Sequence, residues 1–258
     1  VGSEMCIRDS RNPTLDPAML GLWELVRGAM ADTPAAVQDA ARIDAVLASR
    51  RAVTQAFFAT ASAEWDALRT EMFGARADLT AAFALLSPDL VVGDLGCGTG
   101  ALSAALAPHV RHVHAVDASP AMLASARTRL AAFPNVQVDE GALEALPLYD
   151  GVLDVAVLML VLHHVSDPVR ALREVHRVLR PGGRVLIGDM RPHTHERYRE
   201  QMGHVWLGFD DHTLQDWLHE AGFVQPRYVP LPVDTDASGP ALFSCTAVAM
   251  PRPMMVLS

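Results

Sequence analysis

Residues 91–100, VVGDLGCGTG, hold the densest chemical information in this chain. An apolar run ends in Asp94, and Gly96, Gly98 and Gly100 follow at alternate positions before an Ala/Leu-rich stretch from Ala101 to Ala107. That order reads as a strand, a glycine turn and a helix start. Glycine lets the backbone pack closely against a ligand, and a helix N-terminus aims its N–H groups at an anion. Asp117 ends the next apolar run, HVHAVD, about twenty residues further on, where an acid hydrogen-bonds a ribose in a doubly wound sheet. The two together predict a pocket for an adenosine-type cofactor. The spacing is G-x-G-x-G, not the dinucleotide fingerprint G-x-G-x-x-G.

Further side chains with chemical potential follow. His163 and His164 come directly after the apolar run LDVAVLMLVL, where the carboxyl edge of an open sheet binds ligands. Either could act as a general base or a substrate contact, and either could be a packed loop residue. Asp189 and Arg191 follow another apolar run and are candidates for the site edge. His193, His195, His204 and His212 raise the question of metal, but an H-x-H with two distant histidines and no neighbouring cysteine is weak ligand spacing, so no metal is expected.

These residues need elements to hold them. Periodicity predicts strands at 90–94, 112–117, 135–139, 152–159, 183–189, 223–230 and 241–249. Helices are predicted at 78–86, 100–107, 119–131, 167–180 and 211–221. Ser119-Pro120 is an N-cap with proline at the first helical position, and Asp210 or Asp211 caps a helix that Gly222 closes. The alternation predicts a parallel sheet with right-handed crossovers, ending in an antiparallel hairpin around the Pro/Asp/Gly-rich loop at 230–240. Upstream, helices are expected at 15–31, 35–50 and 51–73. Leu20, Trp23, Val26 and Arg27 share a face of the first, and Phe57, Phe58, Trp65, Leu68 and Met72 are the apolar residues of the third.

Composition narrows the class. The chain has 258 residues, half of them hydrophobic, enough for one α/β domain and an appendage. A net charge of −9 argues against nucleic acid as the main partner of this chain. The three cysteines, Cys6, Cys97 and Cys245, form no disulfide framework. No apolar run approaches the roughly twenty residues needed to span a bilayer, and no signal peptide is read, so no membrane and a cytoplasmic location are expected.

The glycine loop, with an acid two residues before its first glycine, resembles motif I of the class I S-adenosylmethionine-dependent methyltransferases. Downstream, HAVDASPAML resembles that family's ribose-binding segment, GALEALPL its adenine-side loop, and LDVAVLMLVLHHVSDP its fourth strand and exit loop. LREVHRVLRPGGRVLIGD resembles the helix and fifth strand that follow. The resemblance implies a Rossmann-like, seven-stranded, mostly parallel sheet with helices on both faces, preceded by an α-helical N-terminal segment. It implies S-adenosyl-L-methionine as cofactor. Asp94 would orient the glycine loop or accept from the cofactor ammonium; Gly96, Cys97, Gly98 and Gly100 would pack along it. Within that loop Cys97 reads as a spacer. Asp117 would accept from the ribose hydroxyls, with Ala118 and Met122 flanking the adenine. Many family members carry an acid where this chain has Ala142, so adenine selectivity would rest on backbone groups near Ala142 and Leu143, with Glu144 facing solvent. Met159, and Leu160 beside it, are apolar where relatives often place polar residues.

A second resemblance covers the N-terminal part. The segment from GLWELVRGAMA to TEMFG, and GHVWLGFDDHTLQDWLHEAGF at 203–223, resemble proteins that fuse an arsenic-repressor-type winged helix to a methyltransferase. On that view most of the winged helix is missing here. Residues 1–10 resemble translated sequencing-adapter sequence and are set apart from fold reasoning. The expected organisation is then 11–50 helical segment, 51–77 cap helix, 78–250 methyltransferase domain and 251–258 tail. The expected activity is methyl transfer to a small-molecule acceptor, with a homodimer formed through the N-terminal helices. The alternative is a cofactor- or metabolite-binding sensor module of a regulator, without turnover.

Overall fold

The structure, a computed structural model, describes residues 16–61, 64–74, 76–233 and 237–250. Residues 1–10 and the 251–258 tail lie outside them. Two compact units divide at Ala75/Arg76.

The first unit is helical. Helix α1 spans Pro17–Met30, α2 Pro34–Ala61 and α3 Trp65–Phe73. Thr33 caps α2 through its hydroxyl, which accepts the Ala36 N–H, and Pro34 sits in the first turn. The expected break between 35–50 and 51–73 is not there: α2 runs on for 28 residues. Arg50, Arg51, Ala52 and Val53 include no glycine or proline, and nothing at that point stops the intrahelical hydrogen bonds. Phe57 and Phe58 of α2 and Trp65 of α3 meet edge to face, with ring centroids 5.1 to 6.3 Å apart.

The second unit begins with α4, Ala77–Ala82. It then alternates through β1 Val91–Leu95, α5 Ala101–Leu106, β2 His112–Asp117, α6 Pro120–Leu130, β3 Val136–Glu140, β4 Leu153–Met159 and α7 Pro168–Val178. It closes with β5 Leu179–Met190, α8 Arg197–Met202, α9 Asp211–Glu220, β6 Phe223–Pro230 and β7 Leu242–Ala249. The sheet order is β3-β2-β1-β4-β5-β7-β6. The first five strands pair in parallel, and β7 inserts antiparallel between β5 and β6. This is the Rossmann-like, seven-stranded arrangement that the sequence predicts.

Local chemistry explains the boundaries. The Ser119 hydroxyl accepts the Met122 N–H at the start of α6, and Asp210, not Asp211, caps α9 by accepting from Thr213. Helix α7 stops at Val178, short of the expected 180, because Leu179 is already extended and pairs with Leu153. Helix α8 is not among the helices that periodicity predicts. The core lies on both faces of the sheet. Leu172, Val175 and Val178 of α7 are fully buried with Leu158 and Ile187, each large aliphatic side chain contributing about 1.5–3 kcal/mol. No helix among the described residues is long and apolar enough to cross a membrane.

Candidate functional site

The order reverses direction between β1 and β4, and a cavity opens there at the carboxyl edge of β1 and β2. It measures about 500 Å³, and its walls include Gly98, Asp117, Met122, Leu143 and Val161. Backbone geometry makes the floor. Gly96 has φ +82°, and a Cβ there would come within 2.4 Å of Val161. Gly98 has φ +54°, and a Cβ there would meet no protein atom within 4 Å, so a side chain would enter the cavity space instead. Asp117 ties the loop together. Its Oδ2 accepts the Gly98 N–H at 2.8 Å and its Oδ1 the Ser119 N–H at 2.8 Å. Each oxygen retains a second lone pair for a ligand hydroxyl.

Ala118, Met122, Ala142 and Leu143 line this cavity as expected. So does Glu144, contrary to the solvent-facing expectation: Ala142 and Ala145 form a tight bridge, and the half-buried Glu144 lies in that turn. Four other residues expected at the cofactor, Asp94, Cys97, Gly100 and Met159, are not among the residues that line this cavity. Asp94 is buried beneath the loop and accepts from the Ser103 hydroxyl of α5 at 2.6 Å. Burial pushes its carboxyl up to about 6, against the hydrogen bonds from Ser103 that lower it. It therefore fastens the loop to α5. Cys97 packs with Ala115, Leu123 and Ala126, and burial pushes its thiol up to about 12, the state of an inert spacer. Gly100 starts α5 with φ +75°, where a Cβ would come within 2.8 Å of Leu130. Met159 lays its sulfur over Gly188.

A second cavity of about 460 Å³ shares Leu160 with the first. Met190, Met202, Leu231 and Leu242 make its described wall largely apolar, and among the described residues His163, Tyr198 and His204 are its polar side chains. Leu160 stands between the two with φ +53°, a left-handed conformation that a leucine adopts only under constraint; its N–H donates to the Gly188 carbonyl at 2.7 Å. The short 3₁₀ turn Leu162–His164 sends His163 into the second cavity and His164 into the first.

His163 is buried, and its Nδ1 lies 2.8 Å from Asp189 Oδ1. That oxygen also accepts the Met190 N–H, and Oδ2 accepts the His163 N–H. Asp189 thus accepts from the ring, which fixes the Nδ1–H tautomer and leaves Nε2 with a lone pair. His164 Nδ1 donates to the Gly203 carbonyl at 3.3 Å, with the same consequence. The chain after α8 comes back to this turn: Val205 and Trp206 both donate to the His163 carbonyl, at 2.9 and 3.1 Å. That brings His204 to a ring-centroid distance of 4.2 Å from His163. Burial and the neighbouring imidazoles push His204 down to about 4, and His164 is lowered for the same reasons. His204 and His164 are therefore neutral near pH 7. His212 is not part of this cluster; it pairs with Asp216 on the exposed face of α9. Arg191, His193 and His195 line a third cavity of about 900 Å³ with Asp210, which adjoins the second at Gly239, Pro240 and Ala241. Tyr198 and the pairing of His204 with His163 had no sequence signal, because residues 198 and 204 reach the site only through loop returns.

Residues 93–187 match the family described as a methyltransferase domain. An uncharacterised 37.1 kDa protein of transposon TN4556 from Streptomyces fradiae is 46% identical over 100 residues, 37% of this chain and 29% of that protein. A demethylmenaquinone methyltransferase of Clavibacter sepedonicus is 42% identical over 94 residues, 36% of this chain and 38% of that one. The match thus spans less than half the length of these curated relatives. Among solved structures, an S-adenosylmethionine-dependent methyltransferase from Mesorhizobium loti superposes with a TM-score of 0.56 at 24% identity, covering 67% of this chain and 97% of that one.

Proposed function

We propose that this chain, whose residues 93–187 match a methyltransferase domain, moves a methyl group from S-adenosyl-L-methionine to a small, largely apolar acceptor. The observation that carries the reading is the pair of cavities meeting at Leu160, one floored by Gly98 and Asp117 and the other apolar with histidines in its wall. The residues fit the cofactor. Asp117 keeps lone pairs for the ribose hydroxyls, Ala118 and Met122 flank the adenine, and backbone groups at Ala142 and Leu143, with the Glu144 carboxylate, read its edge. Bound there, the cofactor supplies an electrophilic methyl on a sulfonium sulfur. The protein's own contribution is alignment and exclusion of water, which suffices for in-line displacement. Leu160 and the methionines of the second cavity keep the acceptor dry, and His163 and His164 are the candidate side chains where its proton leaves.

The demethylmenaquinone methyltransferase relative supports a small-molecule acceptor. Fusion to an upstream arsenic-repressor-type domain rests on the N-terminal resemblance and the helical character of α1. The N-terminal helices pair two copies in this reading, since Trp23, Leu25, Val46 and Val53 are exposed. The chain's acidity supports no nucleic-acid contact through it. The test is calorimetry with S-adenosylhomocysteine and NAD, followed by incubation of metabolite extracts with methyl-labelled cofactor. Clear NAD binding with no S-adenosylhomocysteine binding sinks the assignment. Cofactor binding without label transfer to any extract favours the sensor alternative.

A further inference from the structure

We infer that His163, His164 and His204 form a site for one divalent transition-metal ion of borderline softness, such as Zn²⁺, at the wall of the apolar cavity. One ring nitrogen from each residue lies within 4.8 Å of the other two. Three imidazole nitrogens bound at 2.0–2.1 Å to one ion stand roughly 3.3 Å apart, so small side-chain rotations close the set. The surroundings are those of metal-binding histidines. Asp189, fully buried, holds His163 Nδ1 at 2.8 Å, and the Gly203 carbonyl holds His164 Nδ1 at 3.3 Å. Such partners orient a ligating ring and fix which nitrogen is free. His204 is 8% exposed, and its Nδ1 is buried without a hydrogen-bond partner among the described residues, a costly condition unless something is bound nearby. Three histidines leave a fourth coordination position, the pattern of catalytic rather than structural zinc.

His163 and His204 both line the apolar cavity, so the open position belongs to whatever occupies it. On the acceptor reading above, the ion would bind the acceptor heteroatom and make its proton more acidic; His163 and His164 would then be spent as ligands, and the proton would leave to water at the cavity mouth and not to either ring. The site itself stands on the histidine geometry and does not require that reading.

The test uses the full chain, stripped with a chelator and titrated with Co²⁺ or Zn²⁺ alone. Calorimetry gives stoichiometry, and the visible bands of bound Co²⁺ report coordination number. One ion per chain is expected, with four- or five-coordinate bands. His164→Gln, on an exposed ring, and His204→Gln are each expected to weaken binding at least 100-fold, and Asp189→Asn by 10- to 100-fold. His212→Gln leaves it unchanged. No saturable binding, or binding that His164→Gln and His204→Gln leave intact, overturns the inference. The chain's affinity for S-adenosylhomocysteine is measured separately. A chain that binds that ligand but no Co²⁺ loses only the metal site, and one that binds Co²⁺ but not that ligand loses only the methyltransferase reading.

Discussion

Asp117→Asn separates the two jobs that the structure gives this side chain. The carboxylate clasps the glycine loop to the start of α6 through two N–H···O bonds of 2.8 Å, from Gly98 and Ser119. Asparagine has one acceptor oxygen, so its amide nitrogen must face one of the two N–H groups. Hydrogen bonds to a charged acceptor contribute about 1.5–3 kcal/mol each, and one is lost. At about 2–4 °C per kcal/mol for a domain of this size, ligand-free thermal unfolding should fall by about 3–12 °C. The ribose hydroxyls lose an acceptor in the same stroke. Calorimetry should then show S-adenosylhomocysteine binding weakened roughly 10- to 150-fold. A folded variant with a lowered midpoint but unchanged affinity would place the ribose elsewhere. A variant with neither change would refute the clasp itself.

Other expectations follow from the same geometry. Gly98→Ala adds a methyl that meets no protein atom but sits at φ +54°; it should cost about 1–2 kcal/mol of stability and lower S-adenosylhomocysteine affinity at least tenfold, and equal affinity would remove the loop from the site. At Leu160, with φ +53°, the usual order of small residues should invert: Leu160→Gly should be more stable than Leu160→Ala by about 1 kcal/mol in urea unfolding, and the reverse order would deny the strain. Asp94, raised from 3.8 to about 6 by burial, holds its proton in the folded state where the unfolded chain has released it. Stability therefore falls as pH rises from about 4 to about 6, by up to about 3 kcal/mol for this group. Asp94→Asn keeps an acceptor for Ser103 and removes that slope, so urea-unfolding curves for the two proteins that run parallel from pH 4 to 7 would contradict the shift. Trp23→Glu with Leu25→Glu should convert a dimer to a monomer in sedimentation, and an unchanged mass would exclude this face from assembly.

Much of the candidate site is legible in the residues themselves. A glycine turn between an apolar run and a helix start needs no tertiary information, because positive φ and the missing side chains already fix what that backbone can approach. Asp117 is equally legible, as the last residue of a strand whose end reaches the carboxyl edge. The seven strands, the antiparallel hairpin and the caps at Ser119 and Asp210 follow from local periodicity and local hydrogen bonding. Which way Asp94 and Cys97 face does not. Strand β1 is buried on both sides, so no polar–apolar alternation marks the side on which a ligand sits, and the packing of α5 and α6 decides it. Glu144 lines the cavity from the turn closed by the bridge between Ala142 and Ala145, a contact that spacing does not encode. The histidine cluster lies furthest from what the sequence determines. His163 and His164 are adjacent, but His204 joins them only because Val205 and Trp206 donate to the His163 carbonyl. Elements written in local pattern were set by the sequence alone. Where two loops return to the same sheet edge, only the packed and hydrogen-bonded tertiary structure chose the partners.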